Sequence, residues 1–572
     1  MAAKKRKRKA KPTPEEIEKR EYRKEIRGIF SKVGFTKVTG VSDKPLKFKG
    51  REGDFDDIFI FKNIIVFIEY TLSKEKNVGD HLLPKKILFD HVVANKNGFL
   101  EYMDEKFETF KNERTSKYSN DQYRIRILYC SKNPVQKQHK DQVPCAKYFD
   151  YPIVKYFKSV SEGLRLSTRF EFLNFLELKP KEIGDAIIKN VEQPYVVKGT
   201  VLPESHSNFP TGYKVVSFYI DPDTLLKKCY VLRKDGWENN SGLYQRMIIN
   251  AKIKSLRKYL AETERVFINN IIVTLPSKTK VLDNKDNTVD PSTLRETKPV
   301  KIQIPDGYNN IGLIDGQHRV YAYHEGGEND SYIADLRVKQ NLLVTGIIYP
   351  EGTKADIRTK FEARLFLEIN ANQSNAKSDL KQAIGVLLRP YTSESIARVV
   401  IDKLNMEGPL ENHFEKHFYE KGRIKTTSIV SYGLKPIVKL SGNDSLYNLW
   451  SKQNKAELSK EKDRALLDEY IIFCVKEINL FISAVKAQLK ESGSGKWTFD
   501  KKQKDKVLST VGINAFIICL RHLIEHNATG TFESYRKSLK GLENFDFSVD
   551  KSSSYNSMAK KLCKEYFNII IE

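Results

Sequence analysis

The sequence predicts an α/β chain, with a β-hairpin near the N-terminus, an α+β region in the middle and a mainly helical C-terminal extension. Three observations carry this expectation. Residues 58–61 and 64–68 are apolar runs separated only by Lys62 and Asn63, which is the pattern of two strands joined by a tight turn. Residues 311–323, Ile-Gly-Leu-Ile-Asp-Gly-Gln-His-Arg-Val-Tyr-Ala-Tyr, read as a strand, a glycine turn and the start of a helix. Beyond Leu380 the long patterns at 465–489 and 507–524 are amphipathic and helical. A chain of 572 residues has room for about three or four domains.

Taken in order, residues 1–13 form a basic arm, disordered because Lys4-Lys-Arg-Lys-Arg-Lys9 and Lys11 are too charged to pack. A solubilising arm, a nucleic-acid-binding arm and a nuclear import signal all suit that composition. From Pro14 the chain turns helical, with Glu15 and Glu16 at the positive end of the helix dipole and an apolar face that ends at Gly34. Glu52-Gly-Asp-Phe-Asp-Asp57 leads into the first strand of the hairpin, and Glu69-Tyr-Thr71 ends the second.

The hairpin brings Asp56 and Glu69 to neighbouring strands. Two carboxylates held close repel each other, and a divalent cation relieves the repulsion; hard oxygen ligands suit Mg²⁺ or Mn²⁺ and hydrolytic phosphate chemistry. Asp54 and Asp57 remain open as alternatives to Asp56. A helix at 84–93 and a strand at 123–129 follow, and then Tyr148 to Lys158 interleave aromatic and basic residues, either as core and rim or as a base-stacking surface. A boundary is expected between Leu178 and Pro194, giving a first domain of residues 14–178.

The second domain, 195–375, contains strands at 215–220, 267–275 and 343–349 and helices at 244–259 and 360–369. Residues 276–305 are polar and read as an exposed insertion. At the central turn Gly316 permits the bend, and Arg319 is the best phosphate contact. His318 suits hydrogen bonding or proton transfer, and Asp315 suits orienting His318 or holding a metal. An Asp315 to Arg319 ion pair within a purely structural turn is the plainer alternative. No Gly-x-x-x-x-Gly-Lys-Ser/Thr loop is present. Residues 376–572 form the helical extension.

The formal charge of +25 favours a polyanionic partner. Six scattered cysteines without a C-x-x-C pair read as reduced core residues. No apolar run is long enough to cross a membrane, so the expected location is cytoplasmic, with nucleoid association and DNA as partner. A homo-oligomer or partner proteins of a defence system fit equally well.

Two resemblances add to this reading. Asp315-Gly-Gln-His-Arg319 resembles the signature of the DGQHR proteins, a branch of the ParB/sulfiredoxin-like superfamily that includes the DndB proteins of DNA phosphorothioation systems. It implies a nucleotide, ATP or CTP, at Asp315, Gly316, Gln317, His318 and Arg319. Gln245 and Arg246 would join from one helix, and Asn370 and Gln373, within a Phe-x-x-x-Asn-x-x-Gln pattern, from another. Gly53-x-x-Asp56, followed by Glu69-x-Thr71, resembles the PD-(D/E)xK restriction-endonuclease-like fold. That resemblance implies a Mg²⁺-dependent DNA endonuclease of a DNA-modification or phage-defence system, with Asp56 and Glu69 as catalytic metal ligands and Glu25 as an additional acid. The family's third position is lysine and here is Thr71. Lys74 is the expected substitute, with Lys85 and Lys86 on the next helix as further sources of the charge. A DndB-like regulator without catalysis and an NTPase are the alternatives.

Overall fold

The computed structural model describes residues 12–189, 194–233, 237, 247–371, 378–417, 419–420, 422–500, 502–548 and 554–571. They form two compact units that divide between Arg358 and Thr359.

The first unit opens with helix α1, Pro14–Lys32, started by a capping box between Thr13 and Glu16 with proline at the first helical position. Tyr22, Ile26, Ile29 and Phe30 bury one face, while Ile17 stays 43% exposed. Gly34, at φ 89°, ends the element. A five-stranded sheet follows, built from β1 (Thr36–Lys37), β2 (Asp57–Phe61), β3 (Ile64–Thr71), β4 (Arg124–Ser131) and β5 (Ala146–Tyr148), paired in that order. The hairpin β2–β3 pairs Asp57 with Ile68, and β3 runs parallel to β4. Every residue of β3 is buried, as a strand covered on both faces requires. Its even-numbered residues pack with α1 and with helices α3 (Tyr151–Leu164) and α4 (Thr168–Phe175). Ile65 and Phe67 pack instead against helix α2, Lys86–Ala94, and its neighbours.

The aromatic and basic residues around α3 are core and rim. Phe149, Tyr156 and Phe157 are fully buried, and Lys155 and Lys158 both bond Glu25 on α1.

A second, eight-stranded sheet is built from β6 (Tyr195–Val201), β7 (Lys214–Ile220), β8 (Cys229–Tyr230), β9 (Ile271–Leu275), β10 (Lys280–Leu282), β11 (Lys298–Ile304), β12 (Ile311–Asp315) and β13 (Leu342–Ile348). Its order is β8-β12-β9-β13-β7-β6-β11-β10. This corrects the reading of residues 276–305 as an insertion. β11 pairs along all seven residues of β6, and Val300, Ile302 and Ile304 are buried at a period of two among outward polar neighbours. Both sheets contribute to one hydrophobic core, from Tyr22 through Leu178 to Val197 and Ile348. Arg233, 1% exposed, crosses that core and donates to the Tyr156 hydroxyl at 2.6 Å and to Glu171 at 3.4 Å.

Helices α5 (Asn250–Thr263), α6 (Gln317–Tyr321) and α7 (Asp330–Lys339) also belong to this unit. Buried Arg257 on α5 donates to the carbonyls of Ala322 (2.8 Å), His324 (2.7 Å) and Glu328 (2.8 and 2.9 Å), fixing the chain that leaves α6.

Helix α8, Ala355–Ala371, leads into the second unit. There α9 (Ser378–Leu388), α10 (Ser393–Leu404), α11 (Arg464–Glu491), α12 (Thr510–Glu525) and α13 (Tyr555–Phe567) are the principal helices, α10 to α13 enclosing a separate core. All six cysteines are free, and only Cys145 is not fully buried. No helix of the described residues is long and apolar enough to cross a membrane.

Arg257→Leu leaves four carbonyl contacts without their donor, and we expect a loss of about 3 kcal/mol. Lys254→Ala, which breaks an exposed pair with Glu328, costs at most about 0.5 kcal/mol. Urea unfolding followed by tryptophan fluorescence measures both.

Candidate active site

Alternation along β2 and β3 sorts the acidic cluster into two faces. Asp57 points to the α1 side, where it accepts from Arg27 at 2.7 and 3.0 Å, Ser42 at 2.9 Å and the Tyr70 hydroxyl at 2.8 Å, with Lys37 at 2.7 Å. It is fully buried, and although burial raises its pKa these donors outweigh it and hold it below the usual carboxylate value. A carboxylate so fully engaged ties α1 to the sheet and is not free to take a ligand.

Asp56 and Glu69 occupy the other face. Asp56 Oδ2 accepts the Tyr70 backbone N–H at 2.7 Å, and its Oδ1 pairs with Arg23, which also holds Asp43 at 2.9 Å. Burial pushes Asp56 up to about 6. Glu69 is 1% exposed. Its Oε2 accepts from Lys85 Nζ at 2.6 Å, and its Oε1 is buried with no hydrogen-bond partner among the described residues. Burial pushes Glu69 up to about 8, the Asp56 charge adding to the rise and Lys85 opposing it. The Lys85 ammonium is pulled down by burial and lifted more by Glu69, ending above its ordinary value. Lys85 also reaches Asp54 at 3.3 Å.

Lys85 stands at the N-terminal end of α2, and its side chain reaches the face on which Glu69 and Thr71 lie. Thr71, 4% exposed, is occupied locally, accepting the Ser73 N–H at 3.1 Å and donating to the Ser73 hydroxyl at 2.9 Å. Lys74 is exposed, at the N-cap of a one-turn helix. Glu25 is bound to Lys155 and Lys158 at 2.6 and 2.8 Å. The structure thus brings Asp54, Asp56, Glu69 and Lys85 together and places Lys74 and Glu25 on other contacts.

Sequence reasoning missed Arg23 and His81. Arg23 lies one helical turn before Arg27 on α1, and that spacing was the available signal. His81 Nδ1 lies 2.9 Å from the Tyr129 hydroxyl, and burial, with Lys85 nearby, lowers its pKa to about 4.

The donor set fits a small divalent cation. Glu69 Oε1 is an unused carboxylate oxygen, Asp56 shares its face, and Mg²⁺ is commonly held by one or two carboxylates with water and substrate oxygens filling the rest. Among the described residues no group of three or more His, Cys, Asp or Glu side chains is arranged to hold a metal.

The second candidate is the turn after β12. Gly316 has φ 95°, and a Cβ there would meet Ile271 Cδ1 at 2.5 Å. Arg319 donates to Asp315 at 2.8 Å and to the Asn270 carbonyl at 3.1 Å, so the ion pair foreseen as the structural alternative is present. His318 Nε2 and Gln317 Oε1 are buried without hydrogen-bond partners among the described residues. Burial, with Lys252 and Arg233 nearby, lowers His318 to about 4. Gln245, Arg246 and Gln373 lie outside the described residues, as does the side chain of Asn370. No protein-family model, curated protein or solved structure matches the chain.

A carboxylate whose folded pKa exceeds its unfolded value binds its proton more tightly when folded. Its stabilising contribution is present below the unfolded value and is lost as pH rises toward the folded one. In metal-free buffer we therefore expect the melting temperature of the wild type to fall as pH rises from about 4.5 to 8, and that of Glu69→Gln to fall less. At about pH 8.5 the variant should be the more stable, by on the order of 2 kcal/mol. Differential scanning calorimetry across this range checks the sign.

Proposed function

We propose that residues 14–178 form a restriction-endonuclease-like domain that hydrolyses DNA phosphodiesters with Mg²⁺ or Mn²⁺. In this reading it is joined to a DGQHR, ParB/sulfiredoxin-like module as part of a DNA-modification or phage-defence system. The observation that carries the reading is Glu69: a carboxylate buried beside Asp56 with one oxygen unused, and with Lys85 supplying the ammonium that Thr71 does not. Within the five-stranded sheet, the order α1, β1, the β2–β3 hairpin, an intervening helical segment and the parallel β4 also agrees with the restriction-endonuclease-like core.

In this account Asp56 and Glu69 are the protein ligands of the cation, which supplies Lewis-acid stabilisation of the developing phosphate charge. Lys85 takes the family lysine's role from a helix instead of the strand, orienting the attacking water and offsetting negative charge. Its four-carbon stem allows that relocation. Arg23 offsets the charge of Asp56. The basic charge of the chain favours DNA as the polyanion, through phosphate contacts that weaken as salt rises.

A second reading, a non-catalytic DndB-like regulator or an NTPase, rests on the turn. The unpartnered His318 and Gln317 atoms beside Lys252 are polar lining of the kind a nucleotide uses. In that reading a phosphate displaces Asp315 from Arg319.

Plasmid cleavage with Mg²⁺ or Mn²⁺, with and without ATP and CTP, separates the two. Wild type should cleave, and Asp56→Ala, Glu69→Ala and Lys85→Ala should each lose roughly 10²-fold or more, with Lys74→Ala close to wild type. DNA binding without cleavage under every condition would favour the regulator; ATP turnover lost in Arg319→Ala would favour the NTPase.

A further inference from the structure

The second unit contains an open cavity of about 910 Å³. Four elements send cations to it: Arg364 from α8, Lys381 from α9, Arg389 from the turn after α9, and Lys435 from the short helix Lys435–Ile437. Among the described residues none of the four has an ion-pair partner. A fifth cation of the lining, Lys439, is paired with Asp444 at 2.6 Å. Glu368 and Glu394 also line the cavity, and neither lies within ion-pair distance of a cation among the described residues. The lining thus carries five cations against two carboxylates, and a bound polyanion offsets the surplus positive charge.

The remaining lining narrows the ligand class. Leu388, Tyr391 and Leu440 contribute an apolar and aromatic side, and Ser393 and Ser441 contribute hydroxyls. The N-terminus of α10, a twelve-residue helix capped by Thr392, opens on the same space and adds its dipole to the four cations. A ligand charged at one end and flat and apolar at the other matches such a lining. The volume falls within the roughly 300–1,000 Å³ of small-molecule sites.

We propose that this cavity binds a mononucleotide carrying two or three phosphates. The phosphates lie on Arg364, Lys381, Arg389 and Lys435, and the base lies against Tyr391 and its apolar neighbours. The site is separate from the turn at Asp315–Arg319 and does not rest on the nuclease reading.

Calorimetric titration of the full chain tests it, with ATP, GTP and CTP, with inorganic tripolyphosphate and with a short single-stranded oligonucleotide as separate titrants. At least one nucleoside triphosphate should bind saturably. Its affinity should fall roughly tenfold or more in Lys381→Ala/Arg389→Ala and in Lys435→Ala, and should hold in Lys537→Ala, an exposed lysine elsewhere in the unit. Unchanged melting temperatures establish that the variants are folded, and the milder Arg389→Gln carries the test if the double variant is not. The proposal is overturned by no saturable nucleotide binding, or by binding lost only in Arg319→Ala. It is also overturned by an oligonucleotide that uses the same cations and is not displaced by nucleotide. Tripolyphosphate binding as tightly as any nucleotide would remove the base subsite.

Discussion

Burying the Glu69 carboxylate is the constraint on which the rest of the N-terminal site depends. A lone ionised carboxylate inside a sheet is costly, and the fold offers it three sources of relief: a proton, the Lys85 ammonium at 2.6 Å, or a cation on the oxygen that has no partner. Asp56 beside it makes the demand for positive charge larger. The surroundings answer with Arg23 on Asp56 and Lys85 across Glu69 and Asp54. Asp57, one residue along the strand, meets the opposite fate. Its oxygens are saturated by Arg27, Lys37, Ser42 and Tyr70, and it serves as a fastening between α1 and the sheet. Adjacent aspartates thus acquire different work because a strand turns successive side chains to opposite faces.

The two larger sheets of the first unit share one hydrophobic core. Their shared core and buried Arg233, bonded to Tyr156 on α3 and lying 5.6 Å from the ring centre of Tyr321 on α6, join the hairpin region to the strand–turn–helix element through packed side chains. Arg257 then holds the chain leaving α6 by its carbonyls. A turn held this firmly from behind presents Gln317 and His318 in fixed positions, with desolvated atoms that have no partners.

Much of this was legible in the sequence. The β2–β3 hairpin, α1 and the turn at Gly316 follow from apolar periodicity, from Pro14 with acidic residues in the first helical turn, and from a residue that tolerates positive φ. The alternation Val300, Ile302, Ile304 was equally present, but lysines, a glutamine and the acidic loop before it masked a strand whose outward positions are polar. β6 was missed as well, because Gly199 and Lys198 interrupt a short run. At the site, Asp56 and Glu69 were placed by strand pairing alone. The position of Lys85 was not, since spacing along the chain does not fix where a helix in a long crossover meets a strand. Lys74, nearer in sequence, stands in solvent. Which aspartate has the fewer donors could be settled only by counting them in space.

The most direct test of the central claim is Mn²⁺ binding to the full chain, measured by electron paramagnetic resonance together with calorimetry in two buffers of different ionisation enthalpy. If Glu69 and Asp56 await a cation, Mn²⁺ occupies a site that is lost in Glu69→Ala. At about pH 7 its binding releases close to one proton, because Glu69 with a pKa of about 8 is largely protonated beforehand. Mn²⁺ binding that is absent, or that persists unchanged in Glu69→Ala without proton release, would contradict the account and leave Glu69 and Lys85 as a structural pair.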